Sequence, residues 1–320
     1  IAITTDGMPV NMVSHAHGQG YADLHYLIPE TVDLVHFGKG PYHTHYGNLA
    51  TAGYVGFQSR NRLEESTIAL ELGQFNTFRG LGMINLLNQN SEVKTQNAYI
   101  AGEYLSTDGY FESPQNFKRL SLFGKYNASL GKNHFLTGSL STFSSSWDAS
   151  GQIPLRAVES GEIGFFGAID DTEGGLTSRS NANLQLNSTI NNHSFLKNQV
   201  FYNRYDFELY SNFTFFLEDS INGDQIKQKE SRNLFGYNGS YNRNDMLGGI
   251  GLQTEIGLQY RQDMSNDNEL SHTANKTLII ERLAFGDIRE ANAGVYVNET
   301  FRFSENVSIN AGLRFDHFQF

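Results

Sequence analysis

Lys118-Arg119-Leu120-Ser121-Leu122-Phe123-Gly124-Lys125-Tyr126-Asn127-Ala128-Ser129-Leu130 is the stretch that decides the fold. Leu120, Leu122, Tyr126, Ala128 and Leu130 fall on one face of an extended chain, and Arg119, Ser121, Lys125, Asn127 and Ser129 on the other. A period of two with chemically opposite faces is the signature of a β-strand. The same alternation recurs at 181–190, 250–261 and 307–316, and less perfectly at 203–209 and 291–303, while 134–146 is placed as a strand from its neighbours. Eleven strands result, at about 66–74, 80–89, 95–105, 118–130, 134–147, 179–190, 193–210, 231–242, 249–264, 291–303 and 307–320.

The polar face is too charged for a dry core. Arg119, Lys125, Glu255, Arg261, Arg314 and Asp316 would be stranded there without water, whereas a wet or plugged lumen accepts them without special pairing. Several strands exceed the ~5–6 residues usual in globular sheets and match the ~9–11 that cross a bilayer at a tilt. Connections alternate between short (131–133, 191–192, 244–248, 304–306) and long (106–117, 147–178, 211–230, 265–290). That asymmetry suits an outer-membrane barrel with short periplasmic turns and long external loops. Aromatics near strand ends (Tyr205, Phe207, Tyr210, Phe301, Phe303, Phe315, Phe318, Phe320) are expected in its interfacial girdles. The fold class expected is therefore all-β, a transmembrane antiparallel β-barrel; a soluble β-sandwich binding module is the competing minority reading. The final strand stays amphipathic to the last residue, and an odd, unclosed sheet leaves a costly edge in lipid. About 11 of an expected 22 strands are present on this reading, which makes the chain a fragment of a larger barrel.

Composition agrees. The 320 residues carry a formal charge of −11, only 18% charged side chains, 13% aromatics, 32 glycines and no cysteine. Lack of cysteine excludes a disulfide framework, a Cys-based zinc site and a cysteine nucleophile. An acidic balance argues against nucleic acid as a partner. No apolar run reaches the ~18 residues of a membrane helix, and no leader-like segment opens the sequence. No P-loop, dinucleotide fingerprint or G-x-S-x-G elbow occurs, so neither a cofactor nor catalytic residues are expected.

The texture changes near Arg60. Six of the ten histidines lie before residue 46, among repeated glycine breaks. Residues 3–60 carry Asp6-Gly7-Met8-Pro9-Val10, then Val32-Asp33-Leu34-Val35-His36-Phe37-Gly38-Lys39-Gly40-Pro41, then Tyr46-Gly47-Asn48-Leu49-Ala50-Thr51-Ala52-Gly53-Tyr54-Val55-Gly56-Phe57. This ordered set resembles the later part of the plug domain of TonB-dependent outer-membrane receptors: a D-G-x-P turn, a strand ending in K-G-P, then Y-G-x-x-A-x-G-G before the barrel. The remainder is similar to the first half of that family's 22-stranded barrel. The resemblance implies two parts, residues 1–60 as the C-terminal part of the plug and 61–320 as the N-terminal half of the barrel. It marks Asp6, Gly7, Pro9, Gly40, Pro41, Tyr46, Gly47 and Gly53 as structural plug positions. It further implies the outer membrane of a Gram-negative bacterium, outer-membrane lipid around the barrel, and import of a small molecule or metal chelate. The siderophore-like ligand, or a metal or cobalamin, would be driven in by a TonB-type energy-transducing partner whose contact box is not in this sequence. A porin or adhesin lacking a lumen-filling domain is the alternative. Leu34 and His36 stand where many members have Arg and Glu, so the family's usual plug latch is not expected.

Ser14-His15-Ala16-His17 is the sharpest chemical feature. Two histidines at i and i+2 share a strand face, and with Asp23, His25, His43 and His45 they would suit a transition metal. A zinc TIM-barrel enzyme is excluded because strand–helix repeats are missing. A wet plug loop is the plainer reading, with His15, His17 and His25 as tentative ligand contacts. Trp147 and Asp148, in a stretch holding the only tryptophan, and Phe213, Phe215 and Phe216 are the candidate contacts in the loops, with packing between loops equally expected. Asp170-Asp171-Thr172-Glu173-Gly174-Gly175 has calcium-type oxygens but not EF-hand spacing, which favours a solvated acidic turn.

Overall fold

The computed structural model describes residues 1–91 and 94–320. Its strands are β1 (Ala2–Thr5), β2 (Met8–Pro9), β3 (Val32–Lys39), β4 (Gly53–Ser59), β5 (Thr67–Gly73), β6 (Thr77–Asn90), β7 (Thr95–Thr107), β8 (Phe117–Leu130), β9 (His134–Ala149), β10 (Glu173–Asn191), β11 (Ser194–Ser211), β12 (Ile226–Leu247), β13 (Ile250–Ala274), β14 (Leu278–Arg302) and β15 (Ser308–Gln319). A 3₁₀ turn (Pro29–Thr31) and one short helix, α1 (Leu155–Glu159), complete the described elements. β1–β4 form a small sheet in the order β2-β1-β4-β3, and β5–β15 an antiparallel sheet in strict sequence order. Each of the eleven expected strands lies on one strand of the large sheet.

The two-faced stretch 118–130 is inside-out relative to a soluble sheet. Leu122, at 45% exposure, points away from the small sheet, while Ser121, Lys125 and Asn127 are buried against it. Outward-facing Ile100, Leu140, Leu184, Val200, Ile256, Val295 and Leu313 continue an exposed apolar band across the strands. Alternation along each strand puts one residue set into that band and the other into the interior. The polar set is more tightly paired than a wet lumen would require: Arg119 bonds Glu103, Lys125 bonds Ser59, Arg261 bonds Asp263 and Arg314 bonds Asp316.

The connection at 265–290 departs from expectation. β13 and β14 run through it as a hairpin closed by residues 275–277. Residues 265–274 of β13 are polar on both faces, while β14 sets apolar residues side by side at Leu278–Ile280 and Leu283–Phe285 and the pairing shifts register, so no period of two survives and a strand read as a loop. Tyr205 and Phe207 are also displaced from the expected girdle. They face inward and pack on Met12, because odd positions of β11 point to the interior. Phe315, by contrast, is exposed on the outward face.

Four apolar clusters join the two sheets. Met8 packs on Phe201 and Leu234, Val10 with Tyr26 on Phe143, and Met12 on Tyr205 and Phe207. Alternate residues of one extended segment thus enter the wall, each fully buried side chain stabilising by roughly 1.5–3 kcal/mol. Ile28 and Leu63 join Leu81, Met83, Tyr99 and Ala101 in the fourth.

Candidate ligand site at the apex of the N-terminal segment

Between β2 and the 3₁₀ turn the chain makes a loop whose neck is closed by Met12 N–H to Tyr21 O (2.8 Å) and Gly20 N–H to Met12 O (2.8 Å). Ser14-His15-Ala16-His17 lies at its tip and is a turn, not a strand. The two histidines therefore do not share a face. His15 is turned inward, stacked on Tyr21 at 4.2 Å and tilted against Phe207 at 4.8 Å. Its Nδ1 accepts the His17 N–H (3.0 Å), which leaves the ring proton on Nε2, 3.9 Å from Glu230 Oε2. Neither of those atoms has a hydrogen-bond partner among the described residues. Burial, with the nearby Arg232 guanidinium, pushes the His15 pKa down to about 3, so the imidazole is neutral. His17 is exposed.

His25 is exposed too, and its orientation is held. Asp23, 4% exposed, accepts both the His25 N–H (2.8 Å) and Nδ1–H (3.0 Å) through one oxygen. The hydrogen bond to Asp23 raises the His25 pKa above its ordinary value. Burial pushes Asp23 the other way, but the bonds from His25 outweigh it and hold the carboxyl below its ordinary value. A carboxylate on Nδ1 leaves the neutral ring's Nε2 as a free donor of electrons towards solvent, as in oriented metal-binding histidines.

The wall beneath the tip is ionic. Arg232 is fully buried, bonded to Glu230 (2.6 Å) and Asp263 (2.8 Å), and donates to Ser14 O. Ser14 Oγ donates to Glu290 (2.6 Å), and Gln228 to Ala16 O (2.8 Å). Buried Arg179 reaches Val10 O (3.3 Å) and lies 4.7 Å over the Tyr26 ring.

His43 and His45 are elsewhere. They pack with Tyr46 and Tyr54, and the local backbone is held by Gln259 to His45 O (2.8 Å) and Arg314 to Thr44 O (2.9 Å). Among the described residues no three His, Asp or Glu side chains converge in a geometry that would hold a metal ion. A cavity of about 510 Å³ lies between the small sheet and the wall, lined among others by Asp6, His36, His45, Glu255 and Arg314.

The other motif positions have structural work. Asp6 accepts Ser59 N–H (2.9 Å) and lies 3.6 Å from Lys125 Nζ; its carbonyl takes Gln185 (2.6 Å) and Gln199 (2.8 Å), and Gly7 completes the turn at φ +78°. Arg179 bonds Pro9 O. Gly40 bonds Ala52 O as β3 stops before Pro41, Tyr46 stacks on Tyr54 at 3.9 Å, and Gly47 packs beside Arg314. Gly53 adopts φ +140° where a Cβ would collide with Gly38 O. With Leu34 and His36 uncharged or unpaired, Glu30 holds Arg79 instead (2.8 Å to both carboxylate oxygens).

The loop candidates do not converge on the apex histidines. Trp147 and Asp148 end β9; the indole lies across Gly175, and Asp148 bonds Lys276 (2.7 Å) and Asn116 (3.0 Å). Phe213 and Phe216 are exposed on the 212–225 loop, while Phe215 is half-buried at φ +61°. That loop is shaped by Asp224, which the sequence did not single out, and by the acidic stretch at Asp170. Asp224 accepts N–H groups of Leu217, Glu218 and Asp219 (2.8–3.2 Å), and Asn212 links to Asp170 (2.8 Å). Asp170 also takes Thr172 N–H (2.9 Å), so its oxygens serve loop closure.

An exposed apolar band outside, a charged wall inside and a small sheet filling the concavity are the features of a plugged outer-membrane β-barrel. Residues 123–320 match a family model described as TonB dependent receptor-like, beta-barrel. The chain belongs to the TonB-dependent receptor family, whose members are receptors and transporters of the Gram-negative outer membrane. No curated protein matches it by sequence. Among solved structures it resembles the unliganded ferric citrate transporter FecA (15% identity, TM-score 0.78, 99% of this chain and 47% of that one). It also resembles the ferric-catecholate import receptor Fiu of E. coli K12 in its open form (15%, 0.71, 99% and 52%). A third is the siderophore receptor PirA of Acinetobacter baumannii (16%, 0.72, 99% and 48%). Such identities show a shared fold, and this chain spans about half the length of each.

Proposed function

We propose that the protein is an active-transport receptor that captures a metal chelate from outside and imports it into the periplasm, not an enzyme. On this reading residues 1–60 are the C-terminal part of the plug and 61–320 the first half of the barrel. The apolar outer face meets lipid, and a TonB-type partner supplies the force. The observation that carries it is the N-terminal segment itself, packed into the wall through four apolar clusters. A lumen occupied in this way supports gated import over a passive porin. Exposed His17 and the Asp23-oriented His25 at the apex, with Phe213 and Phe216 on the loop tips, are the proposed ligand contacts. That some structurally similar receptors are described as ferric-chelate or siderophore receptors supports a metal chelate as cargo. The test is uptake of radiolabelled ferric chelates, copper and cobalamin by cells with and without the full-length gene under limitation. Gene- and energy-dependent accumulation of one of them is expected; unchanged uptake of all would remove the assignment.

A further inference from the structure

The outer face of the large sheet does not end at one height. On β9 it turns polar at Thr142, Ser144 and Ser146, and on β11 at Arg204, Asp206 and Glu208, well before either strand stops. On β12 it reads Lys229, Ser231 and Asn233 in the same zone. β5 is different: its outward Ile68, Leu70 and Leu72 stay apolar and exposed up to the turn at 74–76. Directly after that turn, Phe78 on β6 and Tyr104 on β7 form an outward pair 6.3 Å apart. The strands β5–β7 therefore finish at the edge of the apolar band, while β9–β12 rise beyond it.

At this low rim three connections present a contiguous aromatic surface. Phe75 lies 6.3 Å from Tyr110, which stacks on Phe111 at 4.6 Å and meets Phe166 at 5.5 Å; Phe165 follows at 5.1 Å. Phe75, Tyr110, Phe165 and Phe166 are all exposed, Phe165 at 70%. Backbone bonds hold the three together: Asp108 N–H to Phe75 O (2.9 Å) and Glu112 N–H to Phe166 O (3.0 Å). Lys118 is exposed on the outward face where β8 begins, directly after the 108–116 connection. Exposed aromatics on a braced framework are costly in water. Aromatic rings and a snorkelling lysine are the groups that prefer the headgroup boundary.

We propose that residues 74–76, 108–116 and 163–167 form an aromatic foot that seats this side of the rim in outer-leaflet lipid. The occupant is lipid because the cluster continues, through Phe78 and Tyr104, from the face proposed above to meet the bilayer; the inference rests on that reading. The high rim at β11–β13 is left in water by the same geometry.

The 320 residues hold no cysteine, so once any cysteine elsewhere in the full-length receptor is replaced by serine, nitroxides can be placed singly in it in phosphatidylethanolamine–phosphatidylglycerol vesicles. Phe165→Cys reports the foot, with Tyr110→Cys as a second position should the first perturb folding. Leu140→Cys reports the apolar band and Ile221→Cys the high rim. Relaxation by oxygen, which concentrates in lipid, is compared with relaxation by an aqueous nickel chelate. Oxygen should dominate at 165, 110 and 140, and nickel at 221. Nickel dominance at 165 and 110 with oxygen dominance at 140 overturns the foot, leaving the cluster in water as a surface for a soluble partner. Nickel dominance at 140 as well would remove the lipid-facing reading and the foot with it.

Discussion

Lys125 and Asp6 tie the large sheet to the turn that opens the small one, and the tie has a measurable size. Lys125 Nζ is buried, 3.6 Å from Asp6 Oδ1, and donates to Ser59 O (3.0 Å) and Ser59 Oγ (2.8 Å). At that separation two unit charges attract by about 5 kcal/mol for an effective dielectric near 20. Taking both from water cancels much of this, so the pair is worth less than either charge left alone would cost. Asp6→Asn keeps an acceptor for Ser59 N–H but strands the ammonium. Lys125→Met strands the carboxylate, though with two donors from Ser59 still on it. Each single change should destabilise the local structure by about 3–5 kcal/mol. The double variant should cost about 2 kcal/mol less than the sum of the singles. Native-state hydrogen exchange of the peptide 53–60 in the full-length receptor reads this as the opening free energy of β4. A coupling below about 0.5 kcal/mol would refute the clamp.

Two further outcomes follow from the N-terminal segment. Gly53→Ala must hold φ +140° and push a Cβ into Gly38 O, whereas Gly131→Ala pays for φ +69° in open space. Gly53→Ala should therefore cost more than about 1 kcal/mol, and clearly more than Gly131→Ala; equal melting temperatures would discard the steric argument. The apex has two opposed pH dependences. His15, lowered to about 3 by burial, contributes stability that is intact above the ordinary 6.5 and fades as pH falls from there towards 3. His25, raised by its bond to Asp23, contributes stability present below 6.5 and lost as pH rises through its higher folded value. Exchange of the 12–25 amides should therefore accelerate on both sides of about pH 6.5, and His15→Phe should abolish only the acid limb.

Sequence alone placed the strands of the large sheet, with 134–146 taken from its neighbours, because lipid outside and charge inside give the strongest two-residue contrast a strand can carry. The contrast is lost where β13 turns polar on both faces and β14 places apolar residues at adjacent positions across register shifts, so these strands were legible only to about Met264 and from about Ala291. The apex failed for a different reason. His15 and His17 are two apart, but spacing assigns a shared face only in an extended chain, and here it is a turn closed by Gly18 N–H to His15 O (3.0 Å). Met8, Val10 and Met12 do alternate and carry three of the four clusters, a pattern visible beforehand but overshadowed by the histidines.

What sequence reading had no means of seeing is the chemistry of the join between the sheets. Its donors are side chains of the wall: Lys125, Arg179, Gln185, Gln199, Gln228, Arg232, Asn238, Gln259 and Arg314. Its acceptors are backbone carbonyls of the N-terminal segment, at Asp6, Gly7, Pro9, Val10, Ser14, Ala16, Thr44, His45 and Ser59. A carbonyl is present whatever the residue, so the segment's own side chains carry no trace of these bonds. The family's usual latch of Arg and Glu on the segment has no counterpart here, where Leu34 and His36 stand. The holding charge instead sits largely on the wall, and each donor withdrawn there leaves a carbonyl that water can take over, at about 0.5–1.5 kcal/mol per neutral bond. A join made of many such bonds is firm in sum yet breaks in small steps, the property that a segment proposed to be pulled aside for every imported ligand requires.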